Sequence, residues 1–358
     1  MLANESPAVM AADPVTFDVT AAPHSPPKPA VPVIMRRVLY ALMPAAACHV
    51  WFFGYGLLLN FVFCALAVLA TEAAVLRLRR RPTRDALLDG SALVTAALLA
   101  FAIPPLTPWW VPAIGGAAAI LLAKQLYGGL GKNLFNPAMV GYAILLVSFP
   151  VEMTQWIPPR MGDIDYTHLS ALAQVTYSVS GVLPPELSLD ALTRATPLDL
   201  VKEGLRSGQT FSQVRANSLF GDFGGRGWEW IGNFLILGGL YLLYAGIIRW
   251  HIPVALLAGL LIPATVLYLL NSSQFASPGF HLFSGATVLG AFFIATDPVS
   301  AAATVRGRLL YGAGIGVMTY AIRTWGGFPD AIAFAVLLMN GAVPLIDRYT
   351  RPRVFGRD

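Results

Sequence analysis

Charge is what this chain has least of. Asp, Glu, Lys and Arg make up 12% of its 358 residues, against about a quarter in ordinary soluble domains, while 56% are hydrophobic. That deficit excludes a soluble globular domain and makes lipid the solvent for most of the chain. Cysteine is nearly absent: Cys48 and Cys64 stand alone in apolar runs without a CxxC pair, so the chain supplies no complete iron–sulfur or zinc site and no expected disulfide. Alternating polar and apolar strands are missing, which excludes a membrane β-barrel. Before Val31 there is neither a basic segment nor an apolar core, so no cleaved signal peptide is expected and residues 1–30 read as a disordered cytoplasmic tail. The net charge of +5 is scattered at the ends of apolar runs rather than gathered on one face, which argues against nucleic acid as a partner.

What remains is an all-α polytopic membrane protein. Apolar runs near 36–53, 55–77, 86–103, 109–127, 135–150, 229–248, 252–270, 283–297, 308–325 and 328–346 predict about ten transmembrane helices. Basic residues set the orientation. With the N-terminus inside, Arg36, Arg37, the cluster Arg77 to Arg84, Lys124, Lys132, Arg249, Arg306, Arg308 and the C-terminal Arg348, Arg351, Arg353 and Arg357 all fall on the cytoplasmic side. Both termini are then cytoplasmic, with 348–358 as a second tail. A first membrane bundle (31–150) and a second (229–347) flank a long periplasmic loop (151–228). Five spans on each side predict a duplication, inverted across the bilayer because five is odd. Tyr127-Gly-Gly-Leu-Gly131 before Asn136-Pro-Ala-Met parallels Tyr311-Gly-Ala-Gly-Ile-Gly316 before Pro329-Asp-Ala-Ile. Pro104-Pro105 and Asp297-Pro298 interrupt the third and eighth spans, and non-helical backbone at that depth must be covered by protein or line a cavity.

Within the long loop lies Asp190-Ala-Leu-Thr193-Arg-Ala-Thr196, which resembles the address read by transferases that esterify the phosphate of FMN to a Thr hydroxyl. Asp190, Thr193, Ala195 and Asp199 surround Thr196, the candidate attachment point, and Pro197 is expected to stop a helix from running through it. A capping or turn Thr is the plain alternative. Ser284-Gly-Ala-Thr287 is a rival address. It has His281 where the first has Asp190, and Thr287 opens an apolar run, so Ser284 and Thr287 are expected to wall a flavin pocket without a covalent bond; small-residue helix packing is the alternative. Lys132, Asn133 and Asn136 follow a glycine-rich stretch that lacks the strand and the Ser/Thr of a phosphate loop; they are candidates to hold a second flavin or the headgroup of a partner's cofactor, with a turn capped by Asn as the plain alternative. Glu72, Asp89 and Asp297 are acidic groups near the spans and candidates for an ion pathway, with an interfacial Glu72–Arg77 pair and an Asp89 N-cap as plainer readings. Trp109, Trp110, Trp228 and Trp230 read as interfacial anchors.

Five ordered stretches carry a family resemblance: Asp89-Gly-Ser-Ala, Gly128 to Pro150 around Lys132-Asn-Leu-Phe-Asn-Pro-Ala-Met, Thr193-Arg-Ala-Thr-Pro-Leu-Asp199, Phe220-Gly-Asp-Phe-Gly-Gly-Arg-Gly-Trp-Glu-Trp230, and Ser284 to Pro298. Over about residues 31–350 the chain resembles RnfD, a membrane component of the bacterial Rnf electron-transport complex, and its relative in the sodium-pumping NADH:quinone oxidoreductase. The resemblance implies an inner-membrane subunit with FMN covalently bound at Thr196. Its partners would be the other Rnf subunits, a second covalent-flavin subunit among them, in a relay between ferredoxin and NAD coupled to Na⁺ or H⁺ movement. The sodium-pump relative suggests a further noncovalent flavin such as riboflavin. Arg194 departs from the Gly common in the family's T-G-A-T. A non-redox transporter of inverted-repeat fold and a structural scaffold for other redox subunits are the alternative functions.

Overall fold

The computed structural model describes residues 30–161 and 169–351; the remainder of the two expected tails, with Arg353 and Arg357, and residues 162–168 lie outside the described residues. The first half contains α1 (Val31–Phe53), α2 (Gly56–Leu78), the short α3 (Arg84–Leu88), α4 (Ser91–Ala102), α5 (Trp110–Ala118), which continues in π geometry over Ala119–Gln125, and α6 (Pro137–Ser148). Short helices α7 (Pro150–Thr154), α8 (Ala171–Ser180), α9 (Leu189–Leu192), α10 (Pro197–Arg206) and α11 (Phe211–Arg215) occupy the middle. The second half contains α12 (Trp228–Tyr244), α13 (His251–Leu270), α14 (Pro278–Phe283), α15 (Thr287–Leu289), which passes into a π segment over Gly290–Ile294, α16 (Val305–Trp325) and α17 (Ile332–Thr350). Each of the ten expected runs coincides with helical backbone. Four helices, α1, α2, α13 and α17, are each long and apolar enough to cross a membrane.

Packing pairs the two halves element by element. The second and fourth long elements lie together in each half, α2 on α5 and α13 on α16. The fourth and fifth also pack, α5 on α6 and α16 on α17, while α1 meets α12 and α6 meets α17 across the halves. Small residues let these backbones approach closely: a Cβ on Gly316 would sit 2.1 Å from the Leu256 carbonyl oxygen, and one on Gly238 would sit 2.2 Å from that of Ala41.

The two interruptions are sealed by buried asparagines. Helix α4 ends at Ile103 because Pro104 cannot continue the ladder. Asn60, inside α2 and 1% exposed, donates its amide to the freed Pro104 carbonyl at 2.8 Å and accepts the Thr107 hydroxyl at 2.9 Å. In the second half the π segment ends at Ile294, whose carbonyl accepts from the Asn136 side chain at 3.2 Å. Asn136 also caps α6, accepting from Met139 N, while its own backbone N–H donates to Asn340 at 3.1 Å. Asn340 in turn donates to Ser300 O and the Tyr311 hydroxyl. An unpaired polar group in an apolar interior costs about 1–3 kcal/mol, so these side chains are what allow half-length helices inside the bundle.

Candidate functional site

Thr196 is the N-cap of α10 rather than a residue of an irregular loop. Its Oγ1 accepts from Asp199 N at 3.3 Å, and Asp199 Oδ2 accepts from the Thr196 backbone N–H at 3.0 Å, closing a capping box. Pro197 occupies the first helical position: no helix runs through Thr196 from α9, which ends at Leu192, and a new one starts directly after it. The Thr196 hydroxyl also donates to Asp199 Oδ2 at 2.6 Å. Upstream, the chain is pinned by a hydrogen bond from Arg194 N to Trp156 O at 2.8 Å. The Arg194 guanidinium folds back onto the carbonyls of Asp190, Ala191 and Thr193 at the end of α9. Asp190 itself is exposed in the first turn of α9, Ala195 is exposed and Thr193 is half-buried.

Half-buried Thr196 stands at the rim of two hollows. The first is a mostly apolar cavity between the halves, lined by Phe101, Tyr142, Trp156, Trp228, Phe283 and Asp330 among others, flat-faced groups of the kind that accept a planar ring. The second is a narrow cleft beside it that contains Arg194, Arg226 and Trp228. Trp228, expected at the lipid interface, faces both hollows, with ring centroids 5.1 Å from Trp156 and 4.7 Å from Phe53. The glycine-rich turn before it is held by the Glu229 carboxylate, which accepts the backbone N–H groups of Phe223 and Gly224. Gly225 is needed there because a Cβ would sit 2.5 Å from Pro197 Cγ.

The segment around Ser284 forms the opposite wall. Ser284 lines the cavity and is 2% exposed, with its hydroxyl unpartnered. Thr287 does not line it: the residue is fully buried and its hydroxyl donates to His281 O at 2.8 Å and Ser284 O at 3.2 Å. Asp330 anchors this wall, accepting from Ala286 N at 2.7 Å and pairing with Arg323 at 3.0 Å. Gly285 has φ +62°, and a Cβ there would fall 2.6 Å from Asp330 Oδ2, so only glycine fits the turn.

A third hollow lies near the Asp297–Pro298 break, lined by Ser91, Lys124, Asn133, Asn136, Thr296 and Asp297 among others. Lys132 is exposed and outside this lining. Asp297 accepts from Val299 N and the Ser300 hydroxyl. Glu72 is fully buried, and its partner is Lys124 at 2.6 Å rather than Arg77, which is exposed. Lys124, 2% exposed, also donates to the Ser91 hydroxyl at 2.8 Å; Gln125 donates to Glu72 at 2.9 Å. Asp89 accepts from the backbone N–H and hydroxyl of Ser91 and so joins the same network; it ends α3 instead of serving as the N-cap of α4.

The model of the NQR2, RnfD, RnfE family matches residues 18–356. The chain belongs to this family. It is 50% identical over 345 residues to the D component of the ion-translocating oxidoreductase complex of Aeromonas salmonicida, covering 95% of this chain and 99% of that one. The protein of the same name from Vibrio cholerae is 49% identical over 347 residues, covering 96% and 100%. Family membership and the apolar helices make this a membrane protein.

In this family member several site groups carry no signal that a reading of acidic residues and local motifs would catch. Arg323 is one, although a cation in a membrane helix is as costly as an anion and marks a site equally well. Lys124 reads as a cytoplasmic charge at the end of the fourth run, yet it is buried in that run's π segment, and π bulges frequently sit at functional places. Tyr142, Trp156 and Asp330 belong to no local pattern; tertiary folding alone brings them to the cavity.

Proposed function

We propose that this chain is the membrane subunit of an ion-translocating oxidoreductase complex and carries FMN as a phosphoester on Thr196. The observation that supports the flavin reading best is the position of a half-buried Thr hydroxyl, bonded to a carboxylate, at the mouth of an aromatic-lined cavity. The residues present fit the group. The first turn of α10 offers the positive end of its dipole to a phosphate, and Arg194 and Arg226 lie in the adjoining cleft. Trp156, Trp228, Phe101 and Phe283 offer faces and edges to a ring system. During attachment Asp199 Oδ2 is placed to take the proton from Thr196 Oγ1 as the hydroxyl oxygen bonds the phosphorus of a flavin nucleotide held by the transferase and that donor's linkage from the phosphorus to its leaving group breaks. When bound, the flavin supplies one-electron chemistry, and the protein supplies its position and electrostatics.

The same reading extends to the complex. Thr196 faces away from the cytoplasm, and a flavin held there would supply one-electron chemistry between another flavin-bearing subunit and a centre deeper in the membrane, on a route between ferredoxin and NAD. The hollow of Asn133, Asn136 and Asp297 accommodates a second, noncovalent flavin, and the Glu72–Lys124–Ser91–Asp89 network with Asp297 handles Na⁺ or H⁺. In-gel ultraviolet fluorescence of the denatured protein, produced together with its flavin transferase, tests the attachment: wild type and Thr287→Ala fluoresce and Thr196→Ala is dark. Persistent fluorescence in Thr196→Ala rejects the site, and darkness in all three favours the transporter or scaffold reading.

A further inference from the structure

Behind the Ser284–Ala286 wall lies another hollow, larger than the flavin cavity and unused by it. Helix α10, the residues around 273–276, α14 and the end of α16 enclose it. Lys202, Arg206 and Arg323 line it, and no Asp or Glu is among its lining residues. Its lining includes buried polar atoms without a partner, among them Arg323 Nε and His281 Nδ1, in residues 5% and 6% exposed. Arg323 spends its other nitrogens on His281 O, Ser284 O and Asp330, which fixes the guanidinium at the floor of the hollow. At the rim, Lys202 Nζ donates to Phe328 O at 2.6 Å and Arg206 to Gly326 O at 2.9 Å, holding both side chains beside the opening. Burial and the neighbouring Arg206 push the Lys202 ammonium below the ordinary lysine range, partly opposed by Asp199. Arg323 is paired with Asp330, so the cations without a carboxylate in the lining are Lys202 and Arg206, and their charge is costly until an anion balances it.

We propose that this hollow binds a phosphate-class anion, held by Lys202 and Arg206 at the rim and by Arg323 and His281 at the floor. Bound phosphate oxygens complete the hydrogen bonding that Arg323 Nε and the His281 ring lack. Apolar surface adjoins the mouth: the lining residue Trp325 is 65% exposed. An interfacial aromatic beside a cationic pocket suits the phosphodiester of an anionic lipid, whose charge no headgroup cation neutralises as choline does, and soluble phosphate shares the same chemistry. The site stands independently of what Thr196 carries.

The test uses the intact membrane complex in nanodiscs of phosphatidylcholine, of phosphatidylcholine with phosphatidylglycerol, and of phosphatidylcholine titrated with inorganic phosphate against chloride at equal ionic strength. Thermal unfolding of this protein and native mass spectrometry of retained lipid are the readouts. Lys202→Gln with Arg206→Gln removes the rim charge but keeps side-chain donors for the carbonyls at 326 and 328. Stabilisation by phosphatidylglycerol alone identifies a lipid headgroup; stabilisation by inorganic phosphate identifies a soluble anion. In either arm the double variant is expected to lose about tenfold or more in apparent affinity, the scale set by two interfacial cations. Absence of stabilisation in both arms for the wild type, or equal stabilisation in the variant, overturns the site.

Discussion

At Thr196 one hydroxyl serves two roles that mutation can separate. As N-cap it stabilises α10, and loss of such a cap costs about 1 kcal/mol; as an acceptor for FMN it would be indispensable. Thr196→Ser keeps both an oxygen for the cap and a hydroxyl for esterification, so it is expected to fold like wild type. Asp199→Asn keeps a hydrogen-bonding side chain but lacks the charge to draw the proton from Oγ1. It is therefore expected to slow flavin attachment by about tenfold or more, the lower part of the range for a positioned base, followed as fluorescence gained with time after transferase induction. Attachment as fast as in wild type would leave Asp199 with the cap alone. The apolar surroundings of Thr287 already disfavour it as an attachment point, and the structure adds a second reason: its hydroxyl is spent on its own turn. Ser284 differs, with a hydroxyl left free at the cavity wall.

Among the elements, the broken helices and their seals set stability. Lys124→Ala leaves the Glu72 carboxylate buried without its cation, and removing one partner of a buried ion pair costs about 3–5 kcal/mol. A large drop in thermal midpoint is expected for Lys124→Ala, with substantial recovery in the double variant Glu72→Gln, Lys124→Met, which leaves no uncompensated charge. A double variant as unstable as the single would show that packing, not charge, governs the position. Asn136→Ala is expected to destabilise by about 1–3 kcal/mol, because it strips both the α6 cap and the bond to Ile294 O. Helices are legible in the sequence because an apolar run long enough to span has few other solutions. The proline breaks are legible as well, but not the asparagines that seal them: Asn60 lies 44 residues from Pro104, and Asn136 lies 158 from Ile294, beyond any local pattern. Amphipathic α10 is hidden for the opposite reason. Its Pro197 reads as a barrier to a helix through Thr196, which holds, but the same proline after a Thr cap also begins the next helix.

For the molecule as a whole, the packing of the two halves leaves two cavities lined by both, one with Thr196 at its rim and one with Asp297 in its wall. The proposed topology puts Thr196 and the arginine cluster after α2 on opposite faces of the membrane. Cys48 and Cys64 are buried, so an introduced thiol can be read against a quiet background. With a membrane-impermeant maleimide on intact cells, Ser207→Cys, beyond α10, is expected to label, and Arg79→Cys, after α2, to label only after permeabilisation. The reverse pattern would turn the topology over. The central claim, that this chain holds its redox group by a bond at Thr196, is tested most directly by tandem mass spectrometry of the protein from the assembled complex. The expected result is a flavin mononucleotide phosphoester localised to Thr196, with the peptide bearing Thr287 unmodified; an unmodified Thr196, in a complex that transfers electrons, would contradict it.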